Sequence, residues 1–467
     1  MIDAFFRSPA HAMAVLDEHE TEAVSYGRLR ALVEECRIDL AILPRPALLM
    51  QLTPNGLGGI VCYLAALASR LPLIMADAQS SATSNIIKVY RPTALFCAKS
   101  DTIPEGYRID KMLVGGRIAL CIKDPVKSYE IVPHPDLALL LTTSGSTGNP
   151  KIVRLTIANL LANAESIATY LGLCPGEISI QSLPMHYSYG LSLVNSHLFA
   201  GGTVAQTNRS FMRPEFWAFF DQAGCTSFAG VPYMYETLQR LRINPVERKS
   251  LRTMTQAGGH LRPEIVKHFA EAAVKADKAM VVMYGATEAT ARISYVPKDK
   301  LLEKLGTIGV AIPKGNLSLK IVGDSGMKEL IYEGPNVMLG YAEKPEDLAL
   351  GDVQNGRYAT GDLAEVDDDG FYRITGRLAR FAKLFGKRVY LGDIETKLES
   401  AFGHSAAAIE GPNSLKIYLE GASEQTVSEG RSLIAALLSV PPSAIQGKSL
   451  LSIPKTPSGK KDYKALT

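Results

Sequence analysis

Along the chain, short apolar runs alternate with longer stretches in which apolar positions recur at helical spacing. Ala47–Leu52 reads as a strand, Gly58–Ala68 as an apolar helix and Leu73–Ala76 as the next strand. That alternation predicts mainly parallel α/β sheets. Leu137–Leu141 is a short, wholly apolar strand, and a helical pattern follows over 157–171. The polar turn Val366-Asp-Asp-Asp-Gly370 reads as a hairpin tip. Beyond it, helical patterns at Asp393–Phe402 and Val427–Leu438 and a strand at Ser414–Leu419 suffice for a small α+β domain. The boundary is placed just after Gly376-Arg377, giving a large domain over 1–378 and a small one over 379–467.

Composition narrows the class. With 46% hydrophobic residues, 21% charged residues and a net charge of +3, the chain has no broad basic field for nucleic acid, although small polyanions remain suitable partners. Cys36, Cys62, Cys97, Cys121, Cys174 and Cys225 are scattered, without Cys-x-x-Cys pairs or metal-ligand spacing to histidine, and read as reduced core thiols. The N-terminal stretch MIDAFFRSPAHAMAVLDEHE mixes acidic and basic residues and lacks the apolar core of a signal peptide, so a cytoplasmic location is expected. The longest weakly polar run, Gly58 to Ser69, falls short of the ~20 residues of a membrane span and reads as a buried helix.

Between the strand Leu137–Leu141 and the helical pattern lies Thr142–Lys151, TTSGSTGNPK. Hydroxyls, close-approach glycines and one cation can together enclose and neutralise a triphosphate. The spacing is not that of a Walker loop, because Asn149-Pro150 separates Gly148 from Lys151.

This segment resembles the phosphate loop of the adenylate-forming superfamily: acyl- and aryl-CoA synthetases, peptide-synthetase adenylation domains and luciferases. Further matches follow in the family's order: Tyr284-Gly-Ala-Thr-Glu288, Gly334–Tyr341 after Glu329-Leu, Tyr358-Ala-Thr-Gly-Asp362, Gly376-Arg377 through Gly386-Lys-Arg388 to Ile394-Glu395, and Pro457-Ser-Gly-Lys460. The resemblance implies ATP-dependent conversion of a carboxylic acid to an acyl-AMP with release of pyrophosphate, then transfer to a thiol. CoA is the expected acceptor, and a carrier protein is the alternative. The implied fold has mainly parallel α/β sheets with a distorted β-barrel-like part, plus a small mobile α+β C-terminal domain.

Site residues carry over one by one. Thr143, Ser144, Gly145, Ser146, Thr147, Gly148 and Lys151 would hold the β- and γ-phosphates; Thr287 would touch the α-phosphate and Glu288 ligate Mg2+. Tyr284, with Gly285, would lie against the adenine, and Gly258, Gly259 and His260 would let backbone approach it. Asp362, with Arg377 nearby, would bind the ribose hydroxyls, and Lys460 would be the catalytic lysine, Lys455 and Lys461 being decoys. His186, Tyr187, Gly190, Phe228, Val231 and Met283 are the acyl-pocket candidates. These types suit the chemistry, since joining two anions requires their charge to be neutralised. The complete set Lys151, Glu288, Asp362 and Lys460 argues against a module that merely holds nucleotide. Phe402-Gly-His-Ser405 looks like a phosphopantetheine site but follows the Ile394-Glu395 helix, where relatives have a His-containing turn and an apolar strand.

The chain departs from the pattern at Ile152, Ile157, Lys328 and the hinge residue Ala379, and its small domain is short. Between Leu183 and Phe199 there is no acidic residue to receive a substrate ammonium, so an acid lacking an α-ammonium group is expected, with Phe228–Pro232 supplying an apolar wall.

Overall fold

The structure, a computed structural model, describes the 467-residue chain apart from residues 1, 21, 100, 143–150, 323–325, 379–380, 385–386, 412–413, 439, 457–460 and 467. By backbone contacts it divides into two compact units. The first comprises Met1–Leu305, Ala311–Asn316 and Glu333–Tyr358; the second comprises Gly306–Val310, Leu317–Tyr332 and Ala359–Thr467.

The first unit is α/β, with two large sheets. In one, Met13–Asp17, Thr203–Gln206, Ile178–Gln181, Ser227–Gly230, Thr253–Gln256 and Ala279–Tyr284 run parallel in that order. In the other, Leu137–Thr142, Leu73–Met75, Leu49–Gln51 and Ala94–Ala98 form a parallel centre flanked by antiparallel strands. The apolar runs read as strands are those buried on both faces, as parallel strands under helices must be. The predicted apolar helix is Leu57–Ala68, buried almost throughout against Tyr26–Leu40 and the second sheet. Five of the six cysteines are buried, whereas Cys174 is exposed in the turn between Leu171 and Ile178.

The helix Ile157–Leu171 begins with a capping box. Asn159 N donates to Thr156 Oγ1 at 3.0 Å and Thr156 N to Asn159 Oδ1 at 2.9 Å. Gly172 ends the helix in the left-handed region, with φ of 66°. The amide of Asn159 also reaches Pro335 O and Val337 O at 2.8 and 2.9 Å, pinning a distant segment to the start of this helix. Close by, Arg154 is fully buried on the strand Ile152–Thr156. It donates to the carbonyls of Leu339, Tyr341, Leu350 and Gly351, so the edge strand Gly340–Ala342 is held by side chain as well as by ladder.

In the second unit, the strand Arg357–Val366, from Ala359 onward, and Tyr372–Arg377 form the expected hairpin within a four-stranded sheet. A second, three-stranded sheet of Ala406–Gly411, Ser414–Glu420 and Ile445–Leu450 shares a core with the helices Leu391–Phe402 and Glu424–Leu438. The latter helix starts earlier than the apolar period predicts, because its first turn is polar and is capped when Thr426 N donates to Ser423 Oγ at 3.1 Å. Phe402–Ser405 is the turn between helix and strand, with His404 Nδ1 2.9 Å from Glu420 O. Among the described residues, no sheet closes into a barrel.

Candidate active site

Because Ser227–Gly230, Thr253–Gln256 and Ala279–Tyr284 are parallel and nearly in register, their carboxyl ends open on one edge of the sheet. Ligands of open α/β sheets bind at such edges. Val231, Gly258 and Tyr187 meet there: a Cβ on Gly258 would lie 2.5 Å from Tyr187 Oη and 3.2 Å from Val231 Cγ1. Gly258 has φ of 90° and belongs to the turn whose Gly259 carbonyl accepts from Gln256 Nε2 at 3.0 Å; Gly259 and His260 are exposed.

Tyr284 ends its strand, and the chain turns back at Gly285, where a Cβ would stand 1.8 Å from Ala291 O. Only glycine fits this crossing. The loop carries a 3-10 turn, Thr287–Ala289, after which Thr290 takes φ of 64° and is held by its hydroxyl on Asn336 O at 2.7 Å. Asn336 in turn donates to Ala289 O and Arg292 O at 2.7 and 2.9 Å. Thr287 and Glu288 therefore sit on a loop braced from the segment that Asn159 pins.

The side chains on this loop meet partners from the other sheet and from the helix Ser188–Ala200. Tyr341 donates to Glu288 Oε1 at 2.7 Å, and Met338 N donates to Glu288 O at 2.8 Å. Thr287 Oγ1 lies 3.3 Å from Ser188 Oγ. Lys151 Nζ is 2.9 Å from Glu343 Oε1 and 5.4 Å from the centre of the Tyr341 ring. The first unit thus brings Lys151 and Glu288 to Tyr341, with Thr287 next to Glu288 in the chain. Glu288 is half-buried, and its second oxygen has no hydrogen bond among the described residues, which suits a hard cation completed by phosphate oxygens. No group of three or more His, Cys, Asp or Glu is arranged for a metal among the described residues.

In the second unit Asp362 and Arg377 are cross-strand partners, with Arg377 Nε 2.5 Å from Asp362 Oδ1. Asp362 is buried and Arg377 exposed. Glu329 Oε1 accepts from Gly361 N at 3.0 Å, fixing the Thr-Gly-Asp bend. Lys461 is a structural cation: its ammonium lies 2.8 Å from Glu399 Oε1 and 3.4 Å from Glu395 Oε2 and donates to Ala406 O. Burial alone would lower its pKa, but the two glutamates raise it well above the usual lysine value. Thr143, Ser144, Gly145, Ser146, Thr147, Gly148, Ala379 and Lys460 lie outside the described residues.

The acyl-pocket candidates divide. Tyr187 and Val231 face Gly258, and Met283 Sδ accepts from Tyr170 Oη at 2.9 Å. His186 is half-buried, and burial lowers its pKa against the opposing charge of Asp77, so its imidazole is neutral at pH 7. Gly190 lies inside the helix Ser188–Ala200, where a Cβ would meet Pro184 O at 2.1 Å. Phe228 is fully buried among Phe216, Trp217 and Tyr235, a core position. Sequence reasoning missed Tyr341's link to Glu288, although Tyr341 closes a quoted motif, and it missed Ser188, Glu343 and Arg292. A lone arginine between Ala291 and Ile293 was the one available signal for the last.

Residues 7–342 match the family model described as AMP-binding enzyme, and the chain belongs to that family. A feruloyl-CoA synthase of an Amycolatopsis species is 30% identical over 285 residues, 59% of this chain and 56% of that protein. The chain thus spans little more than half the length of such curated relatives. The structure of o-succinylbenzoate CoA synthetase (MenE) from Bacillus subtilis with its acyl-adenylate intermediate OSB-AMP superposes with a TM-score of 0.79 at 19% identity, covering 100% of this chain and 97% of that one. The same enzyme has also been solved with ATP and a magnesium ion. ATP-bound MatB from Rhodopseudomonas palustris gives a TM-score of 0.80 at 21% identity, covering 100% and 98%. These likenesses establish the fold.

Proposed function

We propose that the protein is an AMP-forming acid–thiol ligase, with CoA as the acceptor and a carrier protein as the alternative. Membership of the AMP-binding family and the meeting of Lys151 and Glu288 at Tyr341 support the reading. A carboxylate oxygen of the acid attacks the α-phosphorus of ATP, the bond to the bridging oxygen breaks, and pyrophosphate leaves. A thiol then attacks the acyl carbon and releases AMP. Mg2+, when bound, neutralises phosphate charge during the first step.

The chain's own residues then divide the work. Lys151, with the hydroxyls of Thr143, Ser144, Ser146 and Thr147, holds the β- and γ-phosphates. Thr287 positions the α-phosphate, and Glu288, oriented by Tyr341, holds the cation. Tyr284 and the Gly258–His260 turn receive the adenine, and Asp362 receives the ribose. Lys460 stabilises charge as it develops between carboxylate and phosphate, an effect that typically costs 10²–10³-fold in rate when such a group is removed. The small unit is the mobile one, and the location is the cytoplasm; among the described residues no helix is long and apolar enough to cross a membrane.

The test is acid-dependent exchange of pyrophosphate into ATP, with products followed by mass spectrometry in the presence of CoA, a carrier protein or neither. AMP and acyl-CoA are expected. Formation of ADP without AMP would overturn the reading, whereas adenylate accumulating with CoA present would move the acceptor to a carrier protein. Lys460→Ala should slow exchange by roughly 10²–10³-fold yet retain transfer from a supplied acyl adenylate.

A further inference from the structure

Two arginines are buried among the described residues, and they are treated differently. Arg154 has four backbone carbonyls on its guanidinium. Arg292, only 2% exposed, has far less. Its Nε donates to the thioether of Met283 at 3.4 Å, a weak acceptor, and its Nη1 to the adjacent Ala291 O at 3.2 Å. Its Cζ stands 4.0 Å from the centre of the Tyr189 ring. A cation over an aromatic face is stabilised, and the Tyr170 hydroxyl also hydrogen-bonds the guanidinium, but all of these partners are neutral. No carboxylate pairs with Arg292 among the described residues, and a buried cation without a counter-charge is costly.

The surroundings supply no anion either. Tyr170 stacks on Tyr295 with centroids 4.3 Å apart, and Tyr189 shares a hydrogen bond with Thr255 Oγ1 at 2.9 Å. Burial raises the pKa values of Tyr170, Tyr187 and Tyr189, the last to about 12, more than the nearby guanidinium lowers them. All three are therefore neutral phenols at pH 7. The position borders the acyl-pocket candidates: Arg292 follows the loop of Thr287 and Glu288, touches Met283, and lies close enough to lower the pKa of Tyr187, which faces Gly258 and Val231.

We propose that Arg292 receives a second anionic group on the acid, a carboxylate distal to the one activated, so that dicarboxylic acids are the favoured substrate class. A carboxylate matches the guanidinium fork in two parallel hydrogen bonds and supplies the missing charge. The proposal rests on the adenylation reading of this site.

The experiment compares succinate with butyrate, and terephthalate with 4-methylbenzoate, on wild type, Arg292→Met and Arg292→Lys. Exchange kinetics are paired with thermal shift by the acid alone. In wild type the diacid is expected to exceed its matched monoacid at least ~10-fold in kcat/KM. Arg292→Met should remove that preference through KM, with KM for ATP unchanged, and Arg292→Lys should restore part of it. The diacid should also raise the melting temperature of wild type but not of Arg292→Met. Equal use of diacid and monoacid by wild type overturns the proposal and leaves adenylation standing, and so does an Arg292→Met variant that merely melts earlier with its acid preference intact. Conversely, absence of exchange with every acid, while the diacid still protects wild type alone, overturns adenylation and leaves the anion receptor.

Discussion

Tyr341 donates a 2.7 Å hydrogen bond to Glu288 Oε1 across 53 residues of sequence. The ring of the same tyrosine lies 5.4 Å from the Lys151 ammonium, so one side chain touches both the carboxylate and the cation assigned to the nucleotide. Burial, reinforced by the charge of Glu288, raises the pKa of this phenol, which therefore remains a donor.

Removing that donor leaves Glu288 free to rotate. Tyr341→Phe is expected to raise the Mg2+ concentration for half-maximal exchange by roughly ten-fold, the usual size of an outer ligand effect. A Mg2+ titration of the exchange rate checks this; an unchanged requirement would show that Glu288 does not depend on Tyr341 for its orientation.

Gly285→Ala and Gly258→Ala should differ in severity. At Gly285 the added Cβ meets backbone, Ala291 O at 1.8 Å, and a loss of about 2–4 kcal/mol is expected. At Gly258 the obstacle is the far end of Tyr187, so the cost is that of a left-handed conformation, about 1–2 kcal/mol. Urea denaturation of both variants gives the ranking directly.

His197 provides a pH signature. Burial lowers its pKa from 6.5 to about 4, against the opposing influence of the Leu193 carbonyl and Glu177. The unfolded chain therefore binds the proton first as pH falls, so the contribution to stability is complete above 6.5 and is lost between 6.5 and about 4. Up to ~3 kcal/mol is involved. Wild type should lose stability over that window and His197→Gln should lose less; parallel curves would exclude His197 as the source.

Lys461→Met strips the cation from Glu395 and Glu399, which are 8% and 14% exposed at their side chains. The second unit should lose about 3–5 kcal/mol, as when one partner of a buried ionic group is removed. At a temperature where this variant stays folded, exchange should continue, whereas Lys460→Ala should slow it by roughly 10²–10³-fold. Scanning calorimetry alongside the exchange assay separates the two lysines.

What sequence revealed depended on range. The strands Leu137–Thr142 and Leu49–Gln51 and the helix Ile157–Leu171 were legible because burial on both faces, or on one stripe, writes a local period. Motifs identified Glu288 and Asp362 and set Arg377 near Asp362, but not the link from Glu288 to Tyr341, since that contact depends on how distant segments lie side by side. Arg292 escaped because its meaning lies in what is missing around it, and a counter-charge can be sought only once the surrounding chain is in place. Phe228 shows the reverse: an apolar residue beside a predicted pocket turned its ring into the aromatic core.

Arg154 also sets a clock. Its bond to the Leu350 carbonyl spans 196 residues, and the edge strand it secures carries Tyr341. At ordinary synthesis rates of 5–20 residues per second, roughly 10–40 s separate the emergence of the arginine from that of its last acceptors. During that interval the cation has no carbonyls to fill, and the strand Ile152–Thr156 presents an unpaired edge to any nascent neighbour. A ribosome stalled short of residue 351 would expose such an intermediate, and polysome-bound chains are where a chaperone should be found waiting.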